Sequence, residues 1–249
     1  MKDLPTVQAG DGDGSPASAP IQVAPGKLMA TLGIAGALAG LVIVLVFEWA
    51  DPQIQAHRAA ALRAAVNDVL SDPASYRSVY VTESGLSDAP PAGADTVNAE
   101  KVFLGFDAGG APVGYAITGA EPGYQDFIHL IFGYDPATRR LFGMKVLESK
   151  ETPGLGDKIY KDMDFVTGFE GVETPIVGMK QGAATGAANE VDMITGATIS
   201  SRTVIEIINH RVEALGSDLG EHAATAPRAP ASPDPALVDE AVEGGVEGP

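Results

Sequence analysis

The sequence predicts an α+β fold, an antiparallel sheet with packed helices preceded by one transmembrane helix. Three observations carry the prediction: an uncharged stretch of 20 residues near the start, four strand-like runs in the middle, and an apolar pattern of helical period after them. Residues 1–26 are rich in Gly, Pro, Ala and Asp and lack periodicity, so they bury too little surface to offset ordering entropy and are expected to be disordered. The run LMATLGIAGALAGLVIVLVF, Leu28 to Phe47, is long enough at about 1.5 Å per residue to cross a hydrocarbon core of roughly 30 Å. Residues 27–48 therefore read as one membrane-spanning helix. A cleaved signal peptide fits less well, because its apolar region is usually about 7–15 residues and no A-x-A site closes this run. Gly36 and Gly40 form a G-x-x-x-G that permits close approach of a second helix, although small residues are common in such spans.

After the span, Leu62, Val66, Val69 and Leu70 form one helical stripe before Asp72-Pro73, which predicts a separate juxtamembrane helix over residues 51–72. The strand-like runs are residues 101–106, 114–118, 127–134 and 141–147, the last two joined by Asp135-Pro136-Ala137-Thr138, whose turn chemistry suits a hairpin. Residues 86–98 read as an irregular insertion. Val204, Ile205, Ile208, Val212 and Leu215 keep helical spacing and predict a helix over residues 199–215 that packs on the sheet. The folded domain is thus residues 76–216, and the Ala-, Pro- and acid-rich residues 217–249 are expected to form a disordered tail.

Composition excludes several functions. The 33 acidic against 16 basic residues give a formal charge of -17, which opposes nucleic-acid binding. The absence of cysteine removes disulfides, thiolate metal sites, iron–sulfur clusters and thioether-linked haem. His57, His129, His210 and His222 lack ligand-like spacing, so no metal site is expected. Lys2 and Lys27 before the span and Arg58 and Arg63 after it leave its orientation undecided by charge.

Two motifs carry candidate chemistry. In DMITGATISS, residues Thr195, Thr198, Ser200 and Ser201 surround a helix start, where free N–H groups and the dipole favour an anion such as phosphate. The same hydroxyls are also ordinary N-caps, and Thr203 with Glu206 has capping-box spacing. In ETPGLG, Pro153-Gly154 suits a type II turn, and the two glycines let backbone approach a flat ligand, or simply turn the chain at the surface. The stretches from Gly114 and from Pro122 add Tyr115 and Tyr124, aromatic faces for a ligand or for packing.

In combination and order these stretches are specific. The run GYAITGAEPGYQDFIHLIFGYDPATRRLFGMKVLESKETPGLGDKI, followed by DMITGATISSRTV and preceded by one anchor, resembles the covalent FMN-binding subunits of bacterial ion-translocating electron-transport complexes. The nearest likeness is to the G subunit of the Rnf complex, with the C subunit of the sodium-translocating NADH:quinone oxidoreductase as a related family. The resemblance covers residues 113–212 and the anchor. It implies FMN joined through its phosphate to the hydroxyl of Thr198 by a dedicated flavin transferase, which reads the acidic position Asp192. Gly196 and Ala197 then make room for the transferase and the phosphate, Thr195 is a further cofactor-binding position of the motif, and Ser200 or Ser201 takes the structural role. Glu151, Thr152, Gly154, Leu155 and Gly156 are the implied ring-binding loop, and Lys150 either balances reduced flavin or is solvated. The implied protein is a single-pass inner-membrane subunit with its FMN domain on the periplasmic side. It relays electrons between reduced ferredoxin and NAD while partner subunits move the ion, because an uncharged helix supplies no ion path. The C subunit of the sodium-translocating NADH:quinone oxidoreductase, a stand-alone flavinylated carrier and a flavin-free membrane-anchored binding module are the competing expectations.

Overall fold

The computed structural model describes residues 25–90, 99–226 and 228, arranged as two units, residues 1–51 and 52–249. Most of the two segments expected to be disordered, and most of the 86–98 insertion, lie outside the described residues. The expected break between a transmembrane and a juxtamembrane helix is absent: one helix, α1, runs from Pro25 to Val69 with Pro52 inside it. Proline removes a single intrahelical N–H there, and the Ala-rich AHRAAALRAAV that follows is strong enough in helix propensity to continue. In the first unit the apolar side chains of α1, including Leu38, Ile43 and Phe47, are exposed. Residues Ala65, Val66 and Val69 at its far end are buried in the second unit. The helix ends three residues earlier than expected, where Ser71 and Asp72 take left-handed backbone angles.

The second unit is built on a six-stranded antiparallel sheet: β1 (Ser75–Thr82), β2 (Gly85–Ser87), β3 (Lys101–Phe106), β4 (Pro112–Pro122), β5 (Phe127–Asp135) and β6 (Arg140–Ser149), in the order β2-β1-β3-β4-β5-β6. The four expected strands are present, each at or within a few residues of its expected bounds, and β5–β6 is the expected hairpin. Alternation along the strands builds two cores. Leu104, Phe106, Tyr115, Ile117, Leu130 and Phe132 face the last helix, α4 (Thr198–Thr225), through Val204, Ile205, Ile208 and Leu215. Phe103, Ala116 and Ile131 face the opposite way and pack on Ala65, Val66, Val69 and Leu70. The sheet is therefore a middle layer, which is why FIHLIFGY reads as a nearly continuous apolar run.

Between β6 and α4 the chain makes two short helices, α2 (Lys158–Lys161) and α3 (Met163–Thr167), and a parallel pair, β7 (Val177–Lys180) and β8 (Glu190–Met193). Asn209 of α4 holds the start of this pair, accepting from Ile176 N at 2.7 Å and donating to Ile176 O at 2.9 Å. Strand β8 thereby delivers the TGAT turn directly to the beginning of α4. That helix continues to Thr225, beyond the expected domain end at residue 216 and into the segment read as tail, because Leu219 is fully buried and His222 reaches Tyr115.

Candidate functional site

The loop after β6 and the first turn of α4 meet in a cleft of about 360 Å³, lined by Tyr124, Glu151, Thr152, Leu155, Gly156, Gly196, Ala197, Thr198, Ile199 and Ser200. ETPGLG and TGAT, 39 residues apart at their nearest ends (from Gly156 to Thr195), thus form opposite walls of one site. Thr198 is exposed, and among the described residues its hydroxyl makes only a long contact, 3.5 Å, to the carbonyl of Ile194. The N-cap position of α4 is Ala197, so among the described residues no side chain caps the helix. The hydroxyls that follow it on α4 are engaged elsewhere. Ser200 Oγ donates to Glu151 Oε2 at 2.7 Å, Ser201 Oγ accepts from Ile194 N at 3.2 Å, and Thr203 Oγ1 donates to Pro122 O at 3.2 Å. The capping-box reading of Thr203 and Glu206 fails, since Thr203 lies inside the helix and is buried. The physical reason is that the helix begins five residues before it.

The ETPGLG loop is held by its own acids. Glu151 is 5% exposed; its Oε1 accepts from Gln125 N at 2.9 Å and from Asp126 N at 3.5 Å, while Oε2 takes the Ser200 hydroxyl. Thr152 Oγ1 donates to Gln125 Oε1 at 2.8 Å, which ties the loop to the turn carrying Tyr124. Asp157, 2% exposed, accepts from Gly154 N at 2.7 Å and from Lys161 Nζ at 2.6 Å. The Lys161 hydrogen bond is the main reason its carboxyl lies below the usual carboxylate range, and the Gly154 N–H adds to it. Gly154 sits at φ +79 with open space around its Cβ position, so it serves the turn. Gly156 is different: a Cβ there would lie 2.4 Å from Glu151 Oε2 and 3.0 Å from Ser200 Oγ. On the other side a Cβ on Gly123 would lie 2.5 Å from Glu151 Oε1. The Cβ side of Gly156 is therefore taken up by the Glu151 carboxylate and the Ser200 hydroxyl, while its backbone borders the cleft.

Three expected site residues do not line the cleft: Gly154, which shapes the turn behind it, Thr195 and Asp192. Thr195 is exposed and its N–H donates to Gln181 Oε1 at 3.4 Å. Asp192, on β8, turns to the β7–β8 loop, where Oδ2 accepts from Gly182 N at 2.9 Å, and it borders a separate hollow with Asp162, Asp164 and Glu190. Lys150 also points away, 3.5 Å from Asp126 and 3.9 Å from Glu148. Ile199 was not anticipated; it is a half-exposed apolar side chain outside the buried stripe of α4, which periodicity alone assigns to solvent. Tyr124, 68% exposed at the cleft mouth, is visible in the sequence only as an aromatic beside Pro122-Gly123.

A family model described as FMN-binding domain matches residues 123–213, a span that contains both walls of the cleft. The G subunit of the ion-translocating oxidoreductase complex of Methanosarcina acetivorans is 27% identical over 194 residues, 78% of this chain and 96% of that protein. The corresponding protein of Vibrio vulnificus is 30% identical over 188 residues, 74% of this chain and 85% of that protein. This chain belongs to the G-subunit family of ion-translocating oxidoreductase complexes. Its fold is also that of a solved structure, NqrC of Shewanella oneidensis, with a TM-score of 0.53 at 16% identity, covering 67% of this chain and 99% of the other. Members of the G-subunit family are thus parts of an oxidoreductase assembly, and among the described residues of this one a single helix is long and apolar enough to cross a membrane.

Proposed function

We propose that this subunit carries FMN covalently, through a phosphoester to the hydroxyl of Thr198, and relays electrons within its ion-translocating complex. The observation that supports this most is the convergence of ETPGLG and TGAT on one cleft, with the exposed Thr198 hydroxyl beside a helix start that no side chain caps among the described residues. The residues present suit such a cofactor. An uncapped N-terminus of a 28-residue helix favours the phosphodiester anion, Leu155, Ile199 and Tyr124 offer apolar and aromatic surface to a flat ring, and Thr152 supplies a hydroxyl. A bound flavin supplies one- and two-electron exchange, and the protein sets its position and electrostatic surroundings. Covalent attachment suits a domain on the periplasmic side of the inner membrane, where a lost cofactor is not replaced. On this reading the partners are the other subunits of the complex, which contain the ion path, and a flavin transferase that matures the chain.

The test is intact mass and in-gel flavin fluorescence after denaturation, on protein made together with a flavin transferase. The wild type is expected to gain the mass of FMN minus water and to fluoresce; Thr198→Ala is expected to do neither. An unmodified wild type would remove the redox reading. Protease added to intact spheroplasts reads the side of the membrane, and protection of the domain would place it in the cytoplasm.

A further inference from the structure

Glu151 opens the loop expected to bind the ring, yet its carboxylate is spent on protein. Both oxygens are held by neutral donors, Oε1 by the N–H groups of Gln125 and Asp126 and Oε2 by the hydroxyl of Ser200. A carboxylate this deeply buried is tolerated because those bonds replace its water. The three partners belong to two other segments, the turn between β4 and β5 and the first turn of α4. Backbone makes the space: Gly123 and Gly156 flank the two oxygens at positions where any Cβ would collide with them.

We propose that Glu151 is a positioning residue that acts through Ser200, one half-turn beyond Thr198 on α4. It fixes the Thr198 hydroxyl relative to the ETPGLG wall, so that a cofactor attached at Thr198 is held against that wall. The proposal rests on the flavin reading above. A phosphoester secures only one end of FMN, and the ring lies at the far end of a chain of rotatable bonds. Its immobilisation therefore depends on where the opposite wall stands, which the Glu151–Ser200 bond sets.

The experiment compares full-length wild type, Glu151→Ala, Glu151→Gln and Ser200→Ala, each made with a flavin transferase. Covalent FMN is read by mass, ring mobility by the fluorescence anisotropy of the attached flavin, and wall coupling by amide hydrogen exchange over residues 152–156 and 199–201. Glu151→Ala and Ser200→Ala are expected to retain FMN by mass, to lower the anisotropy, and to speed exchange in both segments by about tenfold or more. Glu151→Gln keeps an acceptor for Gln125 N–H and a polar partner for Ser200, and is expected to restore most of both signals. Wild-type exchange and anisotropy in both Glu151→Ala and Ser200→Ala would overturn the proposal. So would a Glu151→Gln protein with restored exchange but the anisotropy of the alanine variant, since charge acting on the ring would then be the cause. Should Glu151→Ala fail to fold, Ser200→Ala alone carries the test. A wild type without FMN overturns the flavin reading and the ring half of this proposal, while the exchange arm still decides whether the carboxylate couples the two walls.

Discussion

Single atoms decide the geometry of the cleft, and the two glycines of ETPGLG show it by failing differently when changed. Gly154→Ala meets no neighbour but must hold a left-handed backbone at φ +79, a strain of about 1–2 kcal/mol. Gly156→Ala drives a methyl into Glu151 and Ser200, and overpacking of that kind costs about 1–3 kcal/mol. Denaturant midpoints should therefore fall for both, whereas only Gly156→Ala should release the exchange protection of the first turn of α4. Asp157 gives the loop a pH dependence of known sign. Its hydrogen bond from Lys161, and secondarily that from Gly154, lowers the folded carboxyl below its ordinary value, against a smaller opposing effect of desolvation. A depressed carboxylate contributes in full above the unfolded value of about 3.9 and loses that contribution as pH falls through the lower folded value. The protection factor of the residue 154 amide should accordingly fall on acidification below about pH 4, and Asp157→Asn, which keeps an acceptor without the charge, should flatten that fall.

Packing overrides propensity in α4, the element whose length the sequence conceals. Gly216, Ser217, Asp218 and Gly220 look like a helix end followed by tail, since each glycine costs a helix about 1 kcal/mol relative to alanine. Burial of Leu219 and the 2.8 Å bond between Tyr115 Oη and His222 Nδ1 reverse that balance. Leu219→Ala should lower stability by about 2–5 kcal/mol in thermal or denaturant unfolding. A chain ending at Gly216 should lose more, because the fully buried Tyr115 hydroxyl is left without its partner, a further cost of about 1–3 kcal/mol. Unchanged stability in the shortened chain would mean that the extension is not part of the core. Legibility follows the same physics. Strands β3 to β6 are visible because apolar runs bounded by turn residues persist over six or more positions. The parallel pair β7–β8 is invisible because four residues are too few to display a period, and its partners are chosen by Asn209 far along the chain. Strand β1, SYRSVYVT, carries β-prone Tyr and Val, but its polar positions obscure the alternation. At the site, the identity of Thr198 as the special hydroxyl comes from the resemblance, while periodicity and capping rules leave four hydroxyls equivalent. Their separation into two exposed threonines, Thr195 and Thr198, and two buried serines engaged by Glu151 and by the Ile194 N–H depends on the loop carrying Glu151, 49 residues from Ser200, which only the fold brings near.

For the whole molecule, charge and hydropathy assign membrane attachment to α1 and not to the surface of the domain. A formal charge of -17 repels an anionic leaflet, so electrostatic adhesion is excluded as the anchor. The apolar part of α1, in contrast, leaves Leu32, Leu41, Ile43 and Phe47 more than half exposed, a surface that water disfavours by about 25 cal/mol per Å² and hydrocarbon accepts. The residues of α1 that enter the domain core, Ala65, Val66 and Val69, all come after the proline at position 52. These facts separate anchoring from folding. A chain that starts at Pro52 should remain in the soluble fraction, show no binding to anionic vesicles even at low salt, and unfold at the same temperature as the domain of the full chain. The full chain should stay with membranes through high-salt and alkaline carbonate washes and come out only in detergent. Release by salt would return the anchor to surface charge, and a lowered unfolding temperature in the shortened chain would make the apolar part of α1 a contributor to the fold as well as to its attachment.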